Sequence, residues 1–409
     1  MLAKAAIYLD SNAGAPLSPQ VAQALLPFLG EAGGFIPNPS SIHSHGRSAK
    51  RALADAREKT ALKWGVGVDP EQLVLTSSGS EANQLVIRSV LETALASSKT
   101  SAPHWITTSV EHDSVQQMIR WFEERGGSVS IIPVDTHGVL RWDILSEMLA
   151  SRKAQNLAPS ALLSAVWVNN ETGVITDAVK LRQITLEYSI PLHLDAAQAW
   201  GKLPCDLKAL NAEYVTFSAH KIGGLAGTGG VWLKRGSRVQ PLILGKQEKG
   251  RRGGTENLLG IIAMGAAASQ IQPEKWSLEI APLRDRLEQA ILERIPGAFV
   301  NGSGAERVAN TLSVSFDGVE GDGLVMALDL AGYSVSSGSA CSSGVLEPSH
   351  VLLAMGRTRP QAMAAVRISL SQALSWDILE GFVNALSQVV SRVRKASLAS
   401  SNISEGKSL

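Results

Sequence analysis

Cysteine is scarce in this chain of 409 residues, which contains only Cys205 and Cys341. Two cysteines this far apart provide neither a disulfide framework nor the paired ligands of a zinc site, so we predict no metal centre and a reducing compartment. An apolar stretch long enough for a signal peptide or a membrane span is also missing. We therefore expect a cytoplasmic protein that does not interact with a membrane.

An excess of charge is likewise missing, because 38 Lys and Arg residues face 37 Asp and Glu residues, for a formal net charge of +1. No basic or aromatic-basic tract stands out, so nucleic acid binding is not indicated. With 44% hydrophobic and 18% charged residues, the composition is typical of a soluble globular protein. The length predicts two domains or more.

Short apolar runs alternate with helical patterns between about residues 70 and 235. The runs lie at residues 73–75, 105–107, 129–132, 161–168, 192–194, 215–217 and 231–233. This alternation predicts an α/β fold with a mainly parallel sheet covered by helices on both faces. After Asn257 the pattern changes to a helix near 283–292, a strand at 311–316 and an amphipathic last helix. We expect a smaller α+β domain there, ending in a frayed, serine-rich tail from residue 396.

Two of the predicted strands end in side chains that can carry chemistry. The run 214–217 is followed by Ser218, Ala219, His220 and Lys221, and the run 192–194 ends at Asp195. In α/β folds, ligands bind where strands end at a sheet edge. A lysine and an aspartate at neighbouring strand ends suit pyridoxal phosphate, which needs an amine for a Schiff base and an anion that keeps its pyridine nitrogen protonated. Each residue alone is more typical of a surface lysine and a helix cap.

Further motifs surround this pair. They are Thr-Ser-Ser-Gly-Ser-Glu-Ala-Asn at 76–83, Val-Asn-Asn-Glu-Thr-Gly at 168–173, Gly-Arg-Arg-Gly-Gly-Thr-Glu-Asn at 250–257 and Ser-Ser-Gly-Ser-Ala-Cys-Ser-Ser-Gly at 336–344. In order and spacing the chain resembles the cysteine desulfurases, pyridoxal phosphate enzymes of the class V aminotransferase group. The resemblance extends from residue 8 to residue 370. It implies the aminotransferase-like fold (fold type I), with a large cofactor-binding domain at 16–257 and a small domain made of 1–15 and 258–409.

The resemblance also implies roles at the cofactor. Lys221 would carry the cofactor, Asp195 would hold the pyridine nitrogen, His112 would stack on the ring and move protons, and Gln198 would hydrogen-bond the phenolic oxygen. The phosphate would lie at the predicted helix start, where free N–H groups favour an anion. Its ligands would be Gly79, Ser80, Ser218 and His220, with Thr255 reaching across from the partner of a homodimer.

Substrate residues follow in the same way. Arg367, with Asn170 beside it, would clamp the carboxylate of L-cysteine, and its β-like run predicts that it points opposite to Val366 and Ile368. Cys341 lies among serines and glycines, as expected of a nucleophilic thiol, whereas Cys205 lies in a more apolar run. Three segments depart from the family pattern, at 13–15, 244–248 and 371–374. We expect these departures to change the geometry at the edge of the substrate site and in the loop at the dimer interface.

The predicted reaction converts L-cysteine to L-alanine and leaves a persulfide on Cys341. That sulfur would pass to an acceptor such as an iron-sulfur cluster scaffold. Three alternatives stay open at this stage: a selenocysteine lyase, a small-amino-acid aminotransferase of the same group, and a weakly active sulfur-transfer partner protein. An aminotransferase has no use for Cys341, and an inactive partner has no need to retain Lys221, Asp195 and His112 together.

Overall fold

The structure is a computed structural model that describes residues 6–29, 34–97, 102–319, 322–337, 347–371 and 374–405, with side chains up to residue 396. Across these ranges the large sheet has seven strands in the order β2-β8-β7-β6-β5-β3-β4. All neighbours are parallel except β8, which is antiparallel to both β2 and β7. The strands are β2 (Leu73–Thr76), β3 (His104–Thr108), β4 (Ser128–Ile132), β5 (Leu162–Val166), β6 (Leu192–Asp195), β7 (Tyr214–Ser218) and β8 (Gly229–Leu233). The predicted mainly parallel sheet is confirmed.

Both faces of this sheet are covered, which explains why its central strands read as continuous apolar runs. Trp105 packs on one face with Phe122, and its neighbour Ile106 packs on the other with Trp200 and Phe217. The helices of this region are α3 (Gly79–Ser97), α4 (Asp113–Glu123), α5 (Trp142–Ala154), α6 (Ala178–Glu187) and α7 (Leu207–Leu210). Short 3₁₀ helices at Pro70–Gln72, Ala219–Lys221 and Gln247–Gly250 connect the elements.

Three further helices form a layer beside the sheet. They are α1 (Pro19–Leu29), α2 (Ser44–Leu62) and α8 (Leu258–Ser269). Val21, Ala49 and Ile262 belong to one buried apolar cluster, which joins all three helices. Helix α8 begins directly after residue 257 and packs on α1 and α2, while the domain division at that residue stays a prediction.

A second sheet, antiparallel and in the order β12-β13-β10-β9, forms with its own core. Its strands are β9 (Ala298–Asn301), β10 (Thr311–Phe316), β12 (Ser336–Ser337) and β13 (Ala365–Ser369). The helices around it are α9 (Pro273–Arg294), α10 (Asp322–Leu330), α11 (His350–Ala354), α12 (Arg359–Met363) and α13 (Trp376–Glu405). The expectation of a frayed tail from residue 396 is wrong, because α13 continues to Glu405.

The N-terminal strand belongs to this second region. Strand β1 (Ile7–Tyr8) pairs in parallel with β11 (Tyr333–Ser334), and Leu9 is part of the second core. Asp10 then bridges to Ser369 at the end of β13. This pairing places residues 10–15 between the two sheets, next to the candidate site. Within the described ranges, no helix combines the length and the apolar character that a bilayer span needs.

Candidate active site

Strands β6 and β7 are parallel neighbours, with Asp195 opposite Thr216. Asp195 is the last residue of β6, and Lys221 closes the 3₁₀ turn that follows β7. Because parallel strands end at the same sheet edge, the structure brings the predicted lysine and carboxylate to one side of the sheet.

A hydrogen-bonded chain holds the carboxylate. Asp195 is buried, and its Oδ2 accepts from Asn83 Nδ2 at 2.7 Å while its Oδ1 accepts from the Ala197 amide at 2.9 Å. Asn83 Nδ2 also lies 3.0 Å from Ser114 Oγ. Asn83 was missed as a site residue, although it ends the 76–83 motif that carried the resemblance.

His112 lies at the other end of this series of hydrogen bonds. It is the N-cap of α4, and its Nδ1 accepts from the Ser114 amide at 3.1 Å and lies 2.9 Å from Ser114 Oγ. Since Nδ1 accepts this hydrogen bond, a ring N–H is carried on Nε2. Asn83 and Ser114 therefore connect the predicted ring-stacking residue to the predicted pyridine anchor.

Lys221 is held by the N-terminal segment. Its Nζ donates to the carbonyl oxygens of Asn12 at 2.6 Å and Ala13 at 3.1 Å. Burial, and then the nearby Arg367 guanidinium, lower the pKa of Lys221 to about 8, while Asp10 and Asp195 oppose the shift. The amine is therefore closer to its neutral, nucleophilic form than an exposed lysine would be.

The predicted phosphate ligands meet where α3 starts beside the end of β7. A Cβ atom on Gly79 would lie 3.3 Å from Ser218 Cβ, so the absence of a side chain allows this approach. Ser218 Oγ lies 2.9 Å from His220 Nδ1. Burial, and then Lys221, lower the pKa of His220 to about 4, so its ring is neutral near pH 7. Ser80 follows Gly79 in the first turn of α3, where an anion is favoured.

Gln198 is buried and its amide is engaged at both ends. Its Nε2 donates to the Asn12 carbonyl oxygen at 3.0 Å, and its Oε1 accepts from Lys202 Nζ. Lys202 also donates to Asn12 Oδ1 at 2.6 Å. Both Asn12 and Lys202 were missed from the sequence, where neither stands in a recognisable spacing with Lys221.

Arg367 is buried in β13 and points away from the core that Val366 and Ile368 enter, which confirms the predicted alternation. Its Nη2 donates to Asp10 Oδ1 at 2.7 Å and its Nη1 to the Asn170 carbonyl at 3.1 Å. Its Nε is buried without a hydrogen-bond partner among the described residues. An unsatisfied guanidinium donor of this kind suits an incoming carboxylate.

One predicted residue, Thr255, lies apart from this group. Thr255 is exposed, in a loop where Arg252 pairs with Glu81 of α3 at 2.9 Å. Cys341 lies outside the described residues. Cys205 packs against the Trp64 core, and burial raises the pKa of its thiol to about 12, which disfavours the nucleophilic thiolate.

The residues present fit pyridoxal phosphate. In that molecule the aldehyde carbon and the phenolic oxygen sit on neighbouring ring carbons, so their protein partners must be close. Lys221 Nζ and Gln198 Nε2 meet this condition, because both donate to the same Asn12 oxygen within 3.0 Å. Asp195 would supply the anion for the ring nitrogen, and the α3 N-terminus would supply N–H groups for the phosphate.

This combination of fold and site defines a class of proteins, and comparison with known families agrees. The class-V aminotransferase family matches residues 7–377, and the chain belongs to this family. A relative in Bradyrhizobium diazoefficiens, called cysteine desulfurase, is 40% identical over 401 residues, which is 97% of each chain. These matches confirm the family that the motifs predicted.

Solved structures agree as well. The NifS-like protein from Rickettsia africae superposes with a TM-score of 0.82 at 29% identity, covering 94% of this chain and 99% of that one. A structure described as SspA in complex with cysteine gives a TM-score of 0.73 at 28% identity and covers 89% of this chain and 98% of that one. The predicted fold class is thereby confirmed.

Proposed function

We propose that the protein is a pyridoxal-phosphate-dependent cysteine desulfurase that converts L-cysteine to L-alanine and carries the released sulfur on Cys341. The observation that supports this most is the shared Asn12 oxygen, which sets the Lys221 amine beside the Gln198 amide at the strand end next to Asp195. The desulfurase relatives and the cysteine complex of SspA support the substrate. When bound, pyridoxal phosphate would supply an aldehyde for amines and a cationic ring that accepts negative charge.

The chain's own residues divide the remaining work. The Lys221 amine would hold the cofactor and would then move a proton at the substrate α-carbon. Asp195 would keep the ring nitrogen protonated, Gln198 would donate to the phenolic oxygen, and His112 would cover the ring face with its Nε2 proton available for transfer. Gly79, Ser80, Ser218 and His220 would bind the phosphate.

Substrate binding falls to Arg367 with Asn170. The Nε group of Arg367 would donate to the substrate carboxylate. The hydrogen bond from Arg367 to Asp10 keeps the guanidinium fixed in the site. The Cys341 thiolate then attacks the substrate sulfur. The carbon–sulfur bond breaks, a sulfur–sulfur bond forms on Cys341, and the substrate carbon takes up a proton to become alanine, so no outside oxidant or reductant is needed. An acceptor, such as an iron-sulfur scaffold in the cytoplasm, would take the sulfur.

We also propose a homodimer in which Thr255 completes the partner's phosphate site. Thr255 is exposed in a single chain, as is Leu244 (84%) at the start of the same loop region. Leu26, Phe35 and Ile42 are also more than 60% exposed, within and after α1. Large apolar side chains so close in sequence are typical of a covered surface.

The activity is tested with Cys341→Ser. This variant should bind pyridoxal phosphate and show the cofactor's visible absorbance, yet release no alanine from L-cysteine, because a hydroxyl cannot accept sulfur as a persulfide. Mass spectrometry of the wild-type protein after cysteine treatment without reductant should place one added sulfur on the Cys341 peptide. Cys205→Ser is the matched control and should keep most activity. Alanine release by Cys341→Ser near the wild-type rate would exclude the mechanism.

The shared site is tested by mixing two defective chains, Lys221→Ala and Thr255→Ala. If Thr255 serves the partner's site, a mixed dimer has one site with both defects and one site with neither. Desulfurase activity should therefore rise well above that of either parent when the chains are refolded together. If Thr255 serves its own chain, mixing gives only the average of the parents, and the shared site is rejected.

A further inference from the structure

Lys202 is a buried lysine in the turn after β6, and none of the roles above uses it. Lys202 is 6% exposed, and its Nζ donates to Asn12 Oδ1 at 2.6 Å and to Gln198 Oε1. No carboxylate pairs with it among the described residues. Burial lowers its pKa well below the ordinary value, and the nearby cations Lys221 and Arg367 act in the same direction. A lysine kept in such a place needs a reason beyond surface solvation.

The reason lies in the two ends of the Gln198 amide. A primary amide offers an oxygen that only accepts and a nitrogen that only donates, and rotation by half a turn exchanges them. Here the oxygen faces the Lys202 amine and the nitrogen faces the Asn12 carbonyl. Rotation would bring the amide nitrogen against the Lys202 donor and the amide oxygen against a carbonyl oxygen. Lys202 therefore favours one orientation of the amide.

We propose that Lys202 is a positioning residue that fixes the Gln198 amide so that its NH2 group, and never its oxygen, meets the phenolic oxygen of the cofactor. This inference rests on the proposed function, since it takes pyridoxal phosphate to be held on Lys221. One amide hydrogen is used by Asn12, and the second is free to donate. Because Gln198 Nε2 and Lys221 Nζ share the Asn12 oxygen, that hydrogen lies close to the point of cofactor attachment.

The consequence concerns the anionic phenolic oxygen. A donor stabilises this anion, and an amide oxygen in its place would repel it. Losing Lys202 removes one of the two contacts that favour this orientation and leaves only the Asn12 carbonyl. The rotated amide should then be more populated, so the cofactor should hold its proton to higher pH. The pH midpoint of the visible absorption band of the bound cofactor reports this directly, without turnover.

The test compares Lys202→Met, Gln198→Leu and the double variant, each loaded with pyridoxal phosphate. Lys202→Met should raise the midpoint by about one pH unit, because a hydrogen bond to a charged oxygen changes an equilibrium by roughly tenfold or more. Gln198→Leu should raise it at least as much, and the double variant should match Gln198→Leu alone. Such non-additivity shows that Lys202 acts through Gln198, whereas a direct charge effect of Lys202 would add to that of Gln198→Leu.

Two controls complete the design. Lys202→Arg keeps a donor and should stay within a few tenths of a pH unit of the wild type. Lys234→Met removes a partly buried lysine outside the site, where it pairs with Glu213 at 3.0 Å. This variant should leave the midpoint unchanged. If Lys202→Met does not fold, Lys202→Gln replaces it. The glutamine side chain is one bond shorter than that of lysine and is still polar.

The possible failures are distinguishable. A wild-type protein that shows no visible band with pyridoxal phosphate contradicts the proposed function itself. A normal band with an unchanged midpoint in Lys202→Met, or a full additional shift in the double variant, overturns the role of Lys202 alone. Failure of both Lys202→Met and Lys202→Gln to fold, judged by circular dichroism of the cofactor-free chains, also overturns it, because Lys202 would then serve the fold.

Discussion

The lowered pKa of Lys221 predicts how cofactor capture depends on pH. With a pKa of about 8, about one Lys221 amine in ten is neutral at pH 7, compared with about three in ten thousand at the ordinary value of 10.5. Only the neutral amine attacks an aldehyde. The covalent step should therefore accelerate about tenfold per pH unit below pH 8 and level off above it.

Stopped-flow absorbance of the cofactor-free protein mixed with pyridoxal phosphate measures this step. The aldehyde-free analogue 4′-deoxypyridoxine phosphate is the control, because it reports pH effects on binding without attachment. Arg367→Gln sharpens the test, since removing this cation should move the levelling-off point to higher pH and slow capture at pH 7. A rate that still rises tenfold between pH 9 and 10 in the wild type would refute the lowered pKa.

Three other predictions concern groups around the site. Asn83→Ala should raise the dissociation constant for pyridoxal phosphate by about tenfold or more, measured by equilibrium dialysis, because Asp195 loses a charged hydrogen bond; unchanged affinity would contradict this. Burial raises the pKa of Glu111 to about 8 from 4.5, so its neutral form stabilises the fold at low pH and this contribution is lost as pH rises through 8. Glu111→Gln should therefore raise Tm at pH 8 and not at pH 4.5, and an equal gain at both would argue against the shift. Cys205 should resist iodoacetamide at pH 8 until the protein is unfolded, and rapid labelling of the native Cys341→Ser variant would show otherwise.

The sequence was sufficient to predict the position of a site residue where its side chain stands at the end of a strand. Asp195 and Lys221 each follow a short apolar run, and parallel strands must bring such ends to one edge. The choice of Arg367 rested on the family resemblance, but its orientation was predictable from the strand, because alternation along β13 turns it away from Val366 and Ile368. The orientation of Arg367 needs only the period of a strand.

The remaining contacts join residues far apart in the chain, and no local period encodes them. Asn12 and Lys202 are separated by 190 positions, and Asn83 and Asp195 by 112. Their meeting depends on how β1 pairs with β11 and how α3 packs beside β7. The continuation of α13 to Glu405 also escaped the composition argument, which treated a serine-rich tract as a breaker of helix.

Asn12 has a consequence for the order in which the protein matures. Its carbonyl reaches Lys221 across 209 positions, and the guanidinium that helps lower the Lys221 pKa comes from residue 367, near the end of the described chain. A chain still emerging from the ribosome therefore carries only an ordinary, protonated lysine at position 221. We therefore expect the reactive amine to form only after the first strand and β13 have docked, so that pyridoxal phosphate should attach to fully folded molecules.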